Sequence, residues 1–171
     1  ERDRRISLLQ RLVEHAEATA RFNIFYGEGR DAYDVRGRTA HECIFNVNDG
    51  NYRCPSSQQG YSPFSTWTRG LAWAVCGFAE QLEFFECLGS RTREDKSNSR
   101  VAEENRRVLT NATAIKAMLL NAAAATADFF IENSCADGIP MWDTGAPGLE
   151  RLPSNYLKRN ADPFNEWEPV D

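Results

Sequence analysis

Three stretches of this chain space their apolar residues at alternating steps of three and four, a rhythm that restricts them to helices. In the first, Ile6, Leu9, Val13, Ala16 and Ala20 fall on one face, and Arg4, Arg5, Arg11, Glu14 and Glu17 crowd the other. The spacing predicts a helix over residues 4–24, ended by Gly27 and Gly29. In the second, Leu71, Val75, Phe78, Leu82 and Phe85 predict a helix that starts behind a capping Thr66 or Thr68 and stops near Gly89. The third runs through Val108, Ala112, Ile115, Leu119, Ala122, Thr126 and Phe129, and its alanines admit a close neighbour. Charged residues 91–107 divide between a loop and the start of this third helix.

The connections are long and of a different character. Residues 26–66 are rich in Gly, Asn, Ser, Asp and aromatics, and AHECIFNVNDGNYRC reads as two short strands about a DG turn. Residues 134–171 hold five of the seven prolines and two of the four tryptophans, with no helix signal. Ordered loops of this length usually carry function. Three helices, each apolar over a wide face, make a thin core for so much loop. The chain reads as a slice of a larger helical assembly.

Composition narrows the function. With 171 residues, 42% hydrophobic and 26% charged, the chain is expected to fold as one domain. A net charge of -5 and a pI near 5.2 argue against nucleic acid as a partner, which clustered Lys and Arg would bind. No apolar run reaches the roughly 20 residues of a bilayer span, so a membrane is not expected either. Five cysteines without a CxxC pair, and only two histidines, assemble no convincing zinc site; they read as buried free thiols. The chain starts at Glu1 with no signal-like apolar stretch behind it, so Glu1 reads as a processed or cut end and no compartment is assigned.

The sharpest local feature is SSQQGYSPFSTWTRGLAW, residues 56–73. Arg69 falls in the first turn of the second helix, where positive charge opposes the dipole, so helix stability does not explain it. A fork of donors gripping a carboxylate does, with Trp67 and Trp73 as flat walls. Aromatic walls with a few directional polar groups suit a sugar, whose ring has an apolar face and a polar rim.

This motif resembles that of the unsaturated glucuronyl hydrolases, glycoside hydrolase family 88. Their pattern, roughly HQGY-x-D-x-S-x-W-x-RGQAW, is matched without a gap by QQGYSPFSTWTRGLAW. His41 lies 18 positions before Gln59, the spacing at which the family keeps a site histidine. Downstream, FFIENSCADGIPMWDTGAP resembles the family's DG-x-P-x-WD loop, and the closing EPVD resembles the start of its DSSA segment. The resemblance runs over about residues 4–171 and is strongest in 56–73. It implies an all-α fold, an incomplete (α/α)6 barrel with long loops and a short β-hairpin, residues 1–171 forming the middle-to-late part of the catalytic domain. It also implies hydrolysis of a terminal Δ4,5-unsaturated uronic acid from the oligosaccharides that polysaccharide lyases leave, with no metal or organic cofactor.

Carried over by match, His41 and Gln59 contact the sugar or position water, Arg69 holds the uronate, and Trp67 and Trp73 stack on the ring or wall the pocket. The family's catalytic aspartates, one of which must stay protonated to donate to the double bond, match nothing here; they fall upstream. The isolated chain is therefore expected to be inactive. Gln58 stands where the family has His, Leu71 where it has Gln, and Pro63-Phe64 replaces a more polar pair. The stretch GEGRDAYDVRGR, residues 27–38, has no obvious family counterpart. These departures keep open an unsaturated rhamnogalacturonyl hydrolase, of the same chemistry, and a non-catalytic uronate-binding helical toroid.

Plainer readings stand beside these. A partly buried arginine usually pairs with a nearby carboxylate, and a lone histidine usually serves a structural hydrogen bond. Trp67 and Trp73 are six apart and point in different helical directions, with Trp73, beside the Leu71 stripe, the expected core member. His15 reads as a solvated surface residue, and Asp143 as the cap of a turn before a site residue. Asp31, Asp34 and Glu42 are the carboxylates near His41, and nothing singles one out. Asn111-Ala112-Thr113 is a sequon by letter, inside the expected third helix.

Overall fold

The computed structural model describes residues 5–89 and 99–162. Its elements are α1 (Leu8–Phe22), β1 (Glu42–Phe45), β2 (Tyr52–Ser56), α2 (Thr68–Gly89), α3 (Arg100–Thr110) and α4 (Ala112–Glu132), with short 3-10 turns at Gly29–Asp31, Leu149–Arg151 and Tyr156–Lys158. The fold is mostly helical with one small sheet. The closing EPVD and the loop expected after residue 90 lie outside the described residues.

The apolar stripes become the core. Val13, Ala16, Ala20 and Ile24 from the first segment meet Phe78 and Phe85 of α2, Val108 of α3, and Ile115, Leu119 and Ala122 of α4. The α2 face is packed chiefly against α4. Helix α4 is 21 residues long and reaches a mean hydropathy of 1.4 over an 18-residue window, enough by length and composition to cross a membrane. The reading that no such run exists is therefore corrected. Small alanines kept the stripe from standing out as an apolar block, and its buried side lies in the core.

Helix boundaries depart from the spacing in three places. Helix α1 begins at Leu8 and not at residue 4, because Ser7 caps it: its Oγ accepts from the Gln10 N–H at 2.9 Å and donates to Asn105 Oδ1 at 2.6 Å. Such a cap contributes about 1 kcal/mol. Ile6 therefore lies outside the helix and is 49% exposed. The third stripe is cut at Asn111 (φ -94°, ψ 8°), whose N–H bonds back to Arg107 and Val108, so the sequon sits at a break between α3 and α4. Thr66 and Thr68 use their hydroxyls on Thr39 and Met141, engaged with other segments and not with the start of α2.

The hairpin is antiparallel, pairing Glu42 with Ser56, Cys43 with Pro55 and Ile44 with Cys54, with an irregularity before Phe45. Gly50 closes it at φ +68°. Ahead of the hairpin, the chain doubles back along the end of α1. The Phe25 N–H bonds Arg38 O at 3.0 Å, the Gly37 N–H bonds Phe25 O at 2.8 Å, and Ile24 bridges Thr39. Gly37 makes this possible, since at φ +84° a Cβ there would lie 2.0 Å from the Ala125 carbonyl oxygen. The expectation of buried thiols holds for Cys135; Cys43 is half-buried, and Cys54, Cys76 and Cys87 are exposed. The helical stripes place Cys76 and Cys87 away from the core face.

Candidate functional site

Helices α1 and α2 leave between them a groove of about 420 Å³, closed at one end by the segment that leads into the hairpin. His15 and Thr19 come from the α1 side, His41 from the hairpin approach, and Trp67, Trp73 and Gln81 from the α2 side. No Asp or Glu is among the described residues that line it. The chemistry of the groove is aromatic walls, two imidazoles and amide groups.

His41 is held at two edges. Its Nδ1 faces the backbone N–H groups of Gln58 at 3.3 Å and Gln59 at 3.5 Å, with Ser57 Oγ also at 3.5 Å. Two N–H donors on Nδ1 make it the acceptor of the neutral ring and put the proton on Nε2. The imidazole also lies 4.6 Å from the Trp67 ring centroid, tilted by 56°. Histidine and QQGY turn are thus one unit, built across the spacing of 18 positions. Gln59 joins it through its backbone, while its exposed side chain does not line the groove.

Trp67 is the fixed wall. It is 3% exposed and precedes α2, in an extended stretch that bridges Asp143. The Thr68 N–H bonds Trp142 O at 2.9 Å, the Thr144 N–H bonds Thr66 O at 3.0 Å, and Thr68 Oγ1 donates to Met141 O at 2.6 Å. Gly60 and Gly70 let the indole in: a Cβ on Gly70 would sit 3.0 Å from Trp67 Cε3, and one on Gly60 would sit 2.9 Å from Trp67 Cβ. Trp73 is the exposed wall, edge-on to Trp67 at 5.4 Å and 62% exposed. This reverses the expectation that Trp73 is the core member. Trp67 precedes the helix, so no helical angle relates it to Trp73, which lies almost opposite Leu71 on α2.

Arg69 is on the first turn of α2 as expected, exposed, with its guanidinium 5.3 Å from the Trp67 ring centroid. It is not among the residues that line the groove, and it flanks the indole that does. The site residues named from the sequence therefore divide. His41, Trp67 and Trp73 share the groove, Arg69 flanks it, and Gln59 supports it.

Asp143 does what a turn cap does, and more. It is fully buried; Oδ1 accepts from the Gly145 N–H at 2.8 Å and Oδ2 from the Tyr61 N–H at 2.9 Å. One carboxylate thus ties the C-terminal loop to the QQGY turn. Asp34 is consumed by a two-pronged pair with Arg38 at 2.6 and 2.7 Å, beneath which Phe25 lies 3.9 Å from the guanidinium carbon. Asp31 pairs with Arg30, and neither carboxylate lines the groove. His15 is exposed as expected, but it also lines the groove, a placement that needed the fold to be seen. Gln81 was likewise missed. Its Oε1 is buried without a hydrogen-bond partner among the described residues, while Nε2 donates to Gly77 O at 3.0 Å.

Among known proteins, the chain is 30% identical over 129 residues to an unsaturated glucuronyl hydrolase of Bacillus sp. (strain GL1), covering 74% of this chain and 26% of that protein. It is 25% identical over 143 residues to an unsaturated glucuronyl hydrolase of Formosa agariphila, covering 82% of this chain and 26% of that protein. The chain resembles these hydrolases over most of its own length, and it spans about a quarter of theirs. No family model and no solved structure matches it.

Proposed function

We propose that this chain is the part of a Δ4,5-unsaturated uronyl hydrolase that receives the terminal sugar, and that its helices are a sector of an (α/α)6 barrel. The observation that carries the reading is the groove's pairing of a fixed and an exposed tryptophan with a histidine whose Nδ1 is already used. That leaves Nε2–H as a directed donor beside an aromatic wall, which matches the two-sided chemistry of a pyranose. Trp73 stacks on the ring, His41 meets a hydroxyl or the water, and Arg69 supplies the counter-charge for the carboxylate over the edge of Trp67.

The reaction is hydration of the C4–C5 vinyl ether. A carboxylic acid protonates C4, water adds at the resulting cation at C5, and the hemiketal opens to release the neighbouring sugar. Arg69 and the tryptophans hold the substrate, and His41 orients the water. By the resemblance, the acid comes from a part of the parent protein other than this groove, whose described lining holds no carboxylate. The chain alone accordingly binds without turnover. Activity of the parent protein on unsaturated glucuronyl substrates, set against unsaturated galacturonyl-rhamnose, separates this reading from the rhamnogalacturonyl one.

Titration calorimetry of the chain with an unsaturated uronyl disaccharide tests the reading. Binding that weakens about ten-fold or more in Arg69→Ala, the weight of one charge-assisted contact, supports it. No binding by the folded chain, or equal binding by Arg69→Ala and Trp73→Ala, overturns it. Hydrolysis by the isolated chain would refute the claim that the acid lies elsewhere.

A further inference from the structure

Residues 27–38 have no obvious counterpart in the hydrolase motif, and none of them lines the groove. In the fold, their 3-10 turn and Tyr33 fold back over the end of α1 and meet β2. They enclose a second pocket, of about 130 Å³, lined by Phe22, Phe25, Arg30, Asp31, Tyr33 and Tyr52. It shares no lining residue with the groove.

The charge arrangement is what makes this pocket more than a surface dimple. Asp31 is only 4% exposed, and a carboxylate out of water needs a partner. Its partner is Arg30, whose Nε lies 3.1 Å from Oδ1 and whose guanidinium stands 5.9 Å from the Phe22 ring centroid. Nε is thus used to fix the plane of the fork, while the side chain stays about half open to solvent. The two terminal nitrogens make no hydrogen bond among the described residues. The pair with Asp31 restrains the guanidinium before any ligand arrives, which lowers the cost of binding a carboxylate.

Around the fork the walls are aromatic. Tyr52 stacks on Phe22 at 5.6 Å and 21°, and Tyr33, edge-on to Phe25 at 6.4 Å, is 78% exposed. A ring this exposed contributes little to folding, so its place in the wall is available for a ligand. The pocket is well below the roughly 300–1,000 Å³ of drug-sized ligand sites, so it holds one ring.

We propose that this pocket is a second saccharide site that takes a single uronate residue, its carboxylate on Arg30 and its apolar face on Tyr33. The site is independent of the groove: it stands whether or not the groove binds the unsaturated terminal sugar. In an acidic oligosaccharide it holds a saturated uronate unit and anchors the polymer to the protein.

The test is amide chemical-shift mapping of the 171-residue chain with methyl glucuronoside, and with methyl glucoside as the neutral control. The expected result is saturable shifts at residues 22–33 and 52 with the uronide and none with the glucoside. Arg30→Gln then weakens binding about ten-fold or more, the loss of a charge-assisted pair. Tyr33→Ala weakens it about three-fold or more through the lost stacking surface. Because Tyr33 is exposed, that variant decides the matter even if the Arg30 variant fails to fold. Shifts confined to the groove around His41 and Trp67, equal shifts from the neutral glucoside, or wild-type affinity in the folded variants each overturn the proposal. The first of these outcomes leaves the groove reading standing and removes this one alone.

Discussion

Removing the Asp143 carboxylate should loosen the site more than removing any exposed member of it. Its two oxygens accept two backbone N–H groups, at 2.8 Å from Gly145 and at 2.9 Å from Tyr61, 82 positions away in sequence. A hydrogen bond to a charged group is worth about 1.5–3 kcal/mol. Both N–H groups are only partly buried and regain some water in the variant, so the lower end applies to each. Asp143→Ala then costs about 3 kcal/mol, a large share of the roughly 5–15 kcal/mol that stabilises a domain. Asp143→Asn keeps one acceptor oxygen and loses about half as much. With a urea slope of about 1–3 kcal/mol per molar, the alanine variant should shift the denaturation midpoint down by about 1–3 M. Amide exchange adds a local readout, since the Tyr61 and Gly145 protons should exchange faster than those of α4. A midpoint change worth less than about 1 kcal/mol, the value of a single exposed cap, would show that the carboxylate ties nothing together.

The two tryptophans should separate stability from binding. Trp67→Ala empties a buried indole and should cost about 3–5 kcal/mol, whereas Trp73→Ala, at 62% exposure, should leave the melting temperature nearly unchanged while weakening the uronyl disaccharide; equal thermal shifts would contradict the assignment. Gly37→Ala forces a side chain into φ +84° against the Ala125 carbonyl, and should cost about 2–6 kcal/mol from backbone strain and overpacking together, read by calorimetric unfolding. The thiols should react unequally. Burial raises Cys43 from its ordinary 9.0 to about 11, so at pH 8 only about one molecule in a thousand carries the thiolate there, and iodoacetamide should label Cys54, Cys76 and Cys87 first by peptide mass mapping. The same shift sets a sign for stability. Above pH 9 the unfolded chain releases this proton before the folded one does, so stability falls between pH 9 and about 11, and Cys43→Ala should flatten that part of a denaturation-midpoint profile.

What could be read from the sequence follows from how far each interaction reaches along the chain. A helical stripe uses neighbours three and four apart, so α2 and most of α1 and α4 were legible from local spacing, as was the hairpin around Asp49-Gly50. The break at Asn111 was not legible, for a specific reason. Val108 and Ile115 reach one core across it, so the interruption never shifts the phase of the apolar pattern. Ser7 ended the first helix early through a partner 98 positions away, Asn105, which no window could contain.

The site shows the same limit more sharply. The 56–73 motif holds both tryptophans of the groove, yet it could not say which indole is buried. That depends on residues 141–144, which clamp the stretch before α2 in extended form and so take Trp67 out of the helical geometry that its spacing to Trp73 suggests. Once Trp67 is fixed outside the helix, Gly70 is explained as well: any side chain there would meet the indole within 3.0 Å. Gly60 admits the same tryptophan from the other side, together with the Asp143 carboxylate. The glycines that flank Trp67 in this short motif are thus the local imprint of a distant clamp. Gly60, Trp67 and Gly70 stand close together in the motif because the clamp leaves that indole one way to pack, while Arg69 and Trp73 stay exposed beside it.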